Sequence, residues 1–326
     1  MVREPFSENS WVLQPNPAYR AAVAPAVSVV ITLFNYAAYI EECLASVQAS
    51  HTDGMPGGIE VIVVDDASTD ASASLVEKQL ANNSMPLCLV RKKSNSGLAD
   101  SRNLGLQLAR APLVFILDAD NRIRPDCLVE HYRVLAGSDY AVAFGWIQRF
   151  EHATGADMKL MSHQEWDVRE LVTRPCIDAM AMLRRDTVLR VGGYSCEYGG
   201  ELPPGWEDYD LCLKLAQAGQ AGKMIPKILS DYRVHGQSML QKTKPHERRL
   251  AVYFCKKFRT LTLAHPDLPR WFGHPRHELL IPDASGSGIG FQSPKKLPTW
   301  AHRLFGRKFC HSLSKRVGKF YWWLHP

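Results

Sequence analysis

Two aspartates one residue apart, Asp118 and Asp120, close the run "LVFILDAD" after five consecutive apolar residues. In an extended chain, residues two apart project to the same side, so both carboxylates face one way. Such charges repel unless a cation lies between them. A hard divalent ion, Mg2+ or Mn2+, suits oxygen ligands and keeps open positions for phosphate oxygens. The competing reading is a solvated turn, where aspartate is common.

Four other segments carry candidate chemistry. Asp65 and Asp66 end "VIVVDD", where a carboxylate can accept hydrogen bonds from a ribose hydroxyl or a base N–H; Ser68, Thr69 and Asp70 suit the cap of a following helix. In "SNSGLADSRNLGL", Arg102 sits near a helix start, where its planar fork suits a diphosphate; an exposed arginine is the plainer alternative. In "WEDYDLCLKLAQAG", Glu207 and Asp208 fall in a first helical turn, a place the helix dipole favours for acids. Asp208 also heads the stripe of Leu211, Cys212 and Leu215, so it is a candidate general base on an inward face. His235 in "DYRVHGQSM" is a candidate third metal ligand or phosphate donor, against an ordinary surface or core histidine. Neither G-x-G-x-x-G nor G-x-x-x-x-G-K-[ST] occurs, so the dinucleotide and P-loop solutions to phosphate binding do not apply.

The elements that must position these residues alternate. Strand-like runs at 27–33, 59–65, 86–92 and 113–117 are separated by helical spacings at 35–50, 71–83 and 98–110. This predicts a mostly parallel sheet with helices on both faces, whose ligands bind beyond the carboxyl ends of the strands. The polar clusters at 32–35, 65–70, 94–97 and 118–120 fall at four such ends. Farther on, 139–150 reads as a strand, 176–194 as a strand or short helix entering a Gly-Gly turn, and 206–219 as a helix closed by Gly219. The segment 222–235 reads as extended, and 246–265 as a basic amphipathic helix.

The chain has 326 residues, 46% hydrophobic and 22% charged, which fits an ordinary globular protein. No run of about 18 apolar residues suggests a membrane span, and the N-terminal stretch lacks the apolar core of an export signal. Eight scattered cysteines without a C-x-x-C pair suit reduced thiols and a cytoplasmic setting. The formal charge of +6 resides in the tail: residues 294–326 hold eight Lys and Arg and no acid, and the remainder has 31 basic against 33 acidic residues. That tail interleaves its cations with Trp300, Phe305, Phe309, Phe320, Tyr321, Trp322 and Trp323, a composition suited to an anionic membrane surface. A loosely packed tail is the alternative, and nucleic acid is not expected because the body is near neutral.

In order, "VVITLFNYAAYIEECLASV", "VIVVDDASTD", "SNSGLADSRNLGL", "FILDADNRIRPDCL", "VGGY", "WEDYDLCLKLAQAG" and "YRVHGQSM" resemble glycosyltransferase family 2, the inverting nucleotide-sugar transferases of GT-A fold. The resemblance covers about residues 27–240. It implies an N-terminal extension (1–26), a GT-A catalytic domain (27–240), a C-terminal helical extension (241–282) and a loop with a basic aromatic tail (283–326). It further implies nucleotide-sugar contacts at Thr32, Leu33, Asn35, Asp66, Asn95, Gly97, Arg102 and Asp118, with Asp66 reading the base. Asp118 and Asp120 stand for the family's D-x-D, Asp120 ahead of Asp118 as direct metal ligand, with His235 approaching the metal or diphosphate. Asp208 matches the catalytic base, and Glu207 beside it helps to place the acceptor. The expected protein is an inverting, metal-assisted transferase using a nucleotide-sugar donor and a glycan or lipid-linked acceptor, cytoplasmic or peripheral on the inner membrane face. A catalytically silent sugar-binding module of the same fold and a nucleotide-dependent oxidoreductase are the competing classes.

Overall fold

Strands β1 (Trp11–Pro15), β2 (Val27–Leu33), β3 (Ile59–Asp65), β4 (Leu87–Lys92), β5 (Leu113–Asp118), β6 (Arg122–Ile123), β7 (Val142–Glu151), β8 (Ala181–Arg184) and β9 (Gly222–Val234) form one sheet. They lie in the order β1-β4-β3-β2-β5-β8-β7-β9-β6. The computed structural model describes residues 10–198, 202–236 and 243–279; the loop and basic tail expected over 283–326 lie outside the described residues.

The block β4-β3-β2-β5 is parallel, as is the β7–β9 pair, and β1, β8 and β6 join antiparallel. Its β2, β3 and β5 pack on both faces, which explains their near-continuous Val, Ile and Leu content. Alternate residues feed two cores. Val30, Ile62, Val64, Val114 and Ile116 face one layer, and Val29, Ile31, Val61, Val63, Phe115 and Leu117 face the other.

The first layer holds α4 (Leu98–Leu108), α6 (Val168–Thr173) and α8 (Glu207–Gln217); the second holds α2 (Ile40–Gln48), α3 (Ser72–Asn82) and α5 (Cys127–Ala136). Short helices α1 (Pro17–Ala21) and α7 (Arg185–Arg190) flank the sheet. Gly105 lets α4 lie directly on β2, because a Cβ there would collide with the Val30 side chain. That close approach sets the depth at which Arg102, one turn earlier, enters the crevice.

Two expectations change at the ends of the chain. The N-terminal extension contributes β1, which pairs with β4, and its Asn16 side chain caps α1 and bonds Met85 and Leu87. The single helix expected over 246–265 is two, α9 (Glu247–Lys257) and α10 (Arg259–Ala264), because the chain leaves helical geometry at Phe258 (φ −109°, ψ 36°). Leu250, Ala251, Phe254 and Phe258 of this region share one core with Tyr209, Leu211 and Leu215 of α8.

Candidate active site

β2 and β5 are neighbours although β3 follows β2 in the chain, so the strand order reverses between them and opens a crevice at their carboxyl ends. Thr32 and Asp118 face each other there in register, and the Thr32 hydroxyl donates to Asp118 Oδ1 at 3.3 Å. The other oxygen donor at this strand end, Asp120, lies beyond the turn at Ala119 and meets His235, with 2.9 Å between Oδ2 and Nε2.

Arg233 fixes that second contact. Its Nε donates to the Asp120 carbonyl and its backbone N–H to the Asn121 side chain, both at 2.9 Å, while its guanidinium lies against the rings of Tyr39 and Phe150. The end of β9 is thereby tied to the turn after β5, and His235, two residues on, is carried to Asp120. Tyr36 and Tyr39 flank the imidazole. Burial, then Asp120 and Asp118, push the Tyr36 phenol above its ordinary range.

Arg102 is the centre of the site. Only 2% of it is exposed, and it donates from Nη1 to Glu207 Oε1 at 2.9 Å and from Nη2 to Asp118 Oδ1 at 2.8 Å. Its guanidinium also lies 5.2 Å from the Tyr194 ring centre. The arginine expected to face a diphosphate therefore has two of its donors engaged by protein carboxylates, and its buried Nε has no protein partner. Glu207 is correspondingly buried. Burial raises its carboxyl while Arg102 opposes the rise.

Asp208 lies on the inward stripe expected of it, lining one cavity with Leu211, Cys212 and Leu215. One carboxylate oxygen accepts the Tyr209 N–H at 2.7 Å. Burial, and then the nearby Asp178, lift its carboxyl above the ordinary range. Asp178 was not visible in the sequence as a candidate. It precedes β8, whose antiparallel register against β5 carries it to the same sheet end, where it lines the cavity with Asp208. Burial and then Asp118 push its carboxyl up to about 6.

The β3–β4 side of the crevice is built by loops. Asp66 accepts the Ser96 and Gly97 N–H groups at 3.0 and 2.9 Å and pairs with buried Lys92 at 2.6 Å. A carboxylate offers about four lone-pair sites, so one remains for a ligand. Asn35, in left-handed geometry (φ 57°), accepts the Thr69 N–H, and its own N–H donates to Ser68. Asp70, not Ser68 or Thr69, takes the first helical N–H of α3, at Ser72. Leu33 is buried and presents its carbonyl to the Asp66 N–H. Gly97 (φ 97°) starts α4, and Asn95 is exposed on the same loop. Lys92 and Arg233, like Asp178, carried no local signal; each is recognisable only from its partners.

Among the described residues no three His, Cys, Asp or Glu side chains are gathered into a metal cage. The donors of Asp120, His235 and Asp118 still fit Mg2+ or Mn2+, because such an ion keeps several waters and completes its shell with substrate phosphates. Against Asp118, Asp178, Glu207 and Asp208, the crevice holds the fully buried Arg102 as fixed counter-charge.

The sheet order and its two helical layers are those of the GT-A fold. A solved structure of similar fold is the mannosyltransferase PcManGT from Pyrobaculum calidifontis in complex with GDP-Man and Mn2+, at a TM-score of 0.57 and 23% identity, covering 79% of this chain and 68% of that one. The chain belongs to glycosyltransferase family 2: the model of "Glycosyl transferase family 2" matches residues 28–192. Among relatives, the putative glycosyltransferase EpsH of Bacillus subtilis is 31% identical over 239 residues, covering 70% of this chain and 67% of that protein. The succinoglycan biosynthesis protein ExoU of Rhizobium meliloti is 31% identical over 232 residues, covering 67% and 65%. The chain thus spans about two thirds of the length of these two relatives.

Proposed function

We propose that this chain moves a sugar from a nucleoside-diphosphate donor to an acceptor hydroxyl, with inversion at the anomeric carbon, in glycan or polysaccharide biosynthesis. One observation carries the reading. The Asp118–Asp120 strand end and the Glu207–Asp208 helix head converge on one crevice, joined through a single buried arginine.

In this reading Asp208 is the base, and its raised carboxyl is better matched to proton abstraction near neutral pH than an ordinary aspartate. It takes the acceptor hydroxyl proton as that oxygen bonds to the anomeric carbon. The bond from that carbon to the diphosphate breaks, and its electron pair leaves with the nucleoside diphosphate. Glu207, held by Arg102, orients the acceptor side, while Thr32, Leu33, Asn35, Asn95 and Gly97 shape the nucleotide side and Asp66 offers its remaining lone pair to a base N–H. Mg2+ or Mn2+ held by Asp120 and His235, with Asp118 alongside, would stabilise the negative charge on the departing diphosphate.

Among the described residues no helix is long and apolar enough to cross a membrane. The cations and aromatics of 294–326 support contact with an anionic membrane surface, which would hold the site near a lipid-linked acceptor.

The test is a screen of nucleotide sugars with and without Mn2+, followed by Asp208→Asn. Transfer should fall about 10²–10⁴-fold in the variant with nucleotide affinity unchanged. Parent-level turnover would remove Asp208 from its role. Binding of a nucleotide sugar without transfer or hydrolysis by the parent would favour a silent binding module.

A further inference from the structure

The C-terminal helices, beyond the residues matched by the family model, grip the segment that presents Glu207 and Asp208. Their contacts fall on Pro204, Gly205, Trp206 and Asp210. Thr243, 2% exposed, donates its hydroxyl to the Pro204 carbonyl at 3.0 Å. The Gly205 backbone (φ 101°) passes so near that a Cβ there would collide with the Thr243 side chain.

Trp206 follows in left-handed geometry (φ 66°), a strained conformation for a bulky residue that persists only when its surroundings impose it. Here they do. Its ring packs 5.5 Å from Phe254 of α9 and 5.5 Å from Tyr209 of α8.

Asp210, wholly buried, pairs with Lys257 at the end of α9 at 2.6 Å and also accepts from Ser195 and Tyr198. The same ammonium donates to Ser195 at 2.7 Å and Glu197 at 3.0 Å. It therefore joins the first turn of α8 to the loop that follows Tyr194, the ring beneath Arg102.

We propose that Lys257 and Thr243 are positioning residues for sugar transfer. They set the rotation of the first turn of α8 and so aim Asp208 and Glu207 into the crevice. The inference rests on the reading of Asp208 as base. Simple docking of a C-terminal helix would give the same contacts but a different response to substitution, since it would weaken the chain without changing the aim of α8.

The test uses the full chain. Lys257→Met alone would leave the buried Asp210 carboxylate to Lys214, at 3.3 Å, without its nearer ammonium, so the informative variant is Asp210→Asn with Lys257→Met, alongside Lys257→Arg and Thr243→Val. The double variant should remain folded, bind nucleoside diphosphate within twofold of the parent, keep its donor KM within twofold and lose at least tenfold in kcat. Amide exchange should speed up in 203–212 and remain unchanged in 27–33 and 59–65. Lys257→Arg should recover most of the rate, and Thr243→Val should act in the same direction with smaller effect. Parent-level kcat in the folded double variant, equal losses in donor affinity and kcat, or exchange raised uniformly would overturn the inference. If the parent transfers no sugar, that outcome sinks the catalytic reading, while exchange in 203–212 still decides whether Lys257 and Thr243 hold the segment.

Discussion

Arg102 and Glu207 stand 105 residues apart in the chain and 2.9 Å apart in the fold, with the guanidinium wholly enclosed. The second fork of the same arginine holds Asp118. One side chain thus fixes the distance between the end of β5 and the first turn of α8. Removing it leaves the buried Glu207 and the partly buried Asp118 without their shared counter-charge.

Arg102→Met should therefore cost about 3–5 kcal/mol of stability, since breaking a buried pair from one side leaves an uncompensated charge. Chemical denaturation checks this, and a loss under 1 kcal/mol would show that Arg102 does not hold Glu207. Adding Glu207→Gln to the same chain should recover part of the loss. Arg102→Lys should recover less than its charge suggests, because an ammonium lacks the planar fork that reaches two carboxylates.

Asp120 and His235 make a prediction about metal. In calorimetric titrations with a nucleoside diphosphate, Mn2+ should strengthen binding to the parent at least tenfold. Asp120→Ala should abolish that enhancement, and His235→Ala should reduce it. An undiminished Mn2+ effect in both variants would place the ion elsewhere.

Asp178 makes a prediction about pH. Its carboxyl lies near 6 in the folded chain and near 4 in an unfolded one, so the native state holds its proton more tightly. Below pH 4 both states are protonated and the residue costs nothing. As pH rises from 4 to 6 the unfolded state ionises freely, the folded state does not, and stability is lost. Asp178→Asn should match the parent at pH 3 and exceed it at pH 7 by on the order of 1–3 kcal/mol in chelator, nearer the lower figure because the side chain is only half-buried. Equal melting temperatures for the two chains at pH 7 would contradict it.

Deletion of 294–326 tests the membrane reading. With on the order of 1 kcal/mol per cation near an anionic surface, eight cations should make partitioning to acidic phospholipid vesicles strongly salt-sensitive. The shortened chain should sediment with such vesicles at least tenfold less than the parent; equal sedimentation would sink the idea.

The sheet was legible because its signals are local. Apolar runs such as "IEVIVVD" and "LVFILD" end where polar clusters begin, and that rhythm predicts parallel strands whose ends share a crevice. Less legible was Glu60, which stands inside β3 yet is wholly buried, because Arg110 and Ser28 satisfy it from distant positions. The break at Phe258 was hidden for a related reason. Helical spacing continues through it, and only packing against the α8 layer shows where the chain turns.

The amino-acid sequence by itself determined the α/β alternation, the polar strand ends, the Asp118–Asp120 pair and the inward placement of Asp208, since each follows from periodicity over a few residues. The tertiary structure alone decided which charges neutralise one another. Asp66 is paired with Lys92, Asp118 and Glu207 share Arg102, Asp120 meets His235, and Asp210 is met by Lys257 of α9. These partners come from different strands and helices, and a buried charge selects its counter-charge by distance in space, which spacing along the chain does not encode.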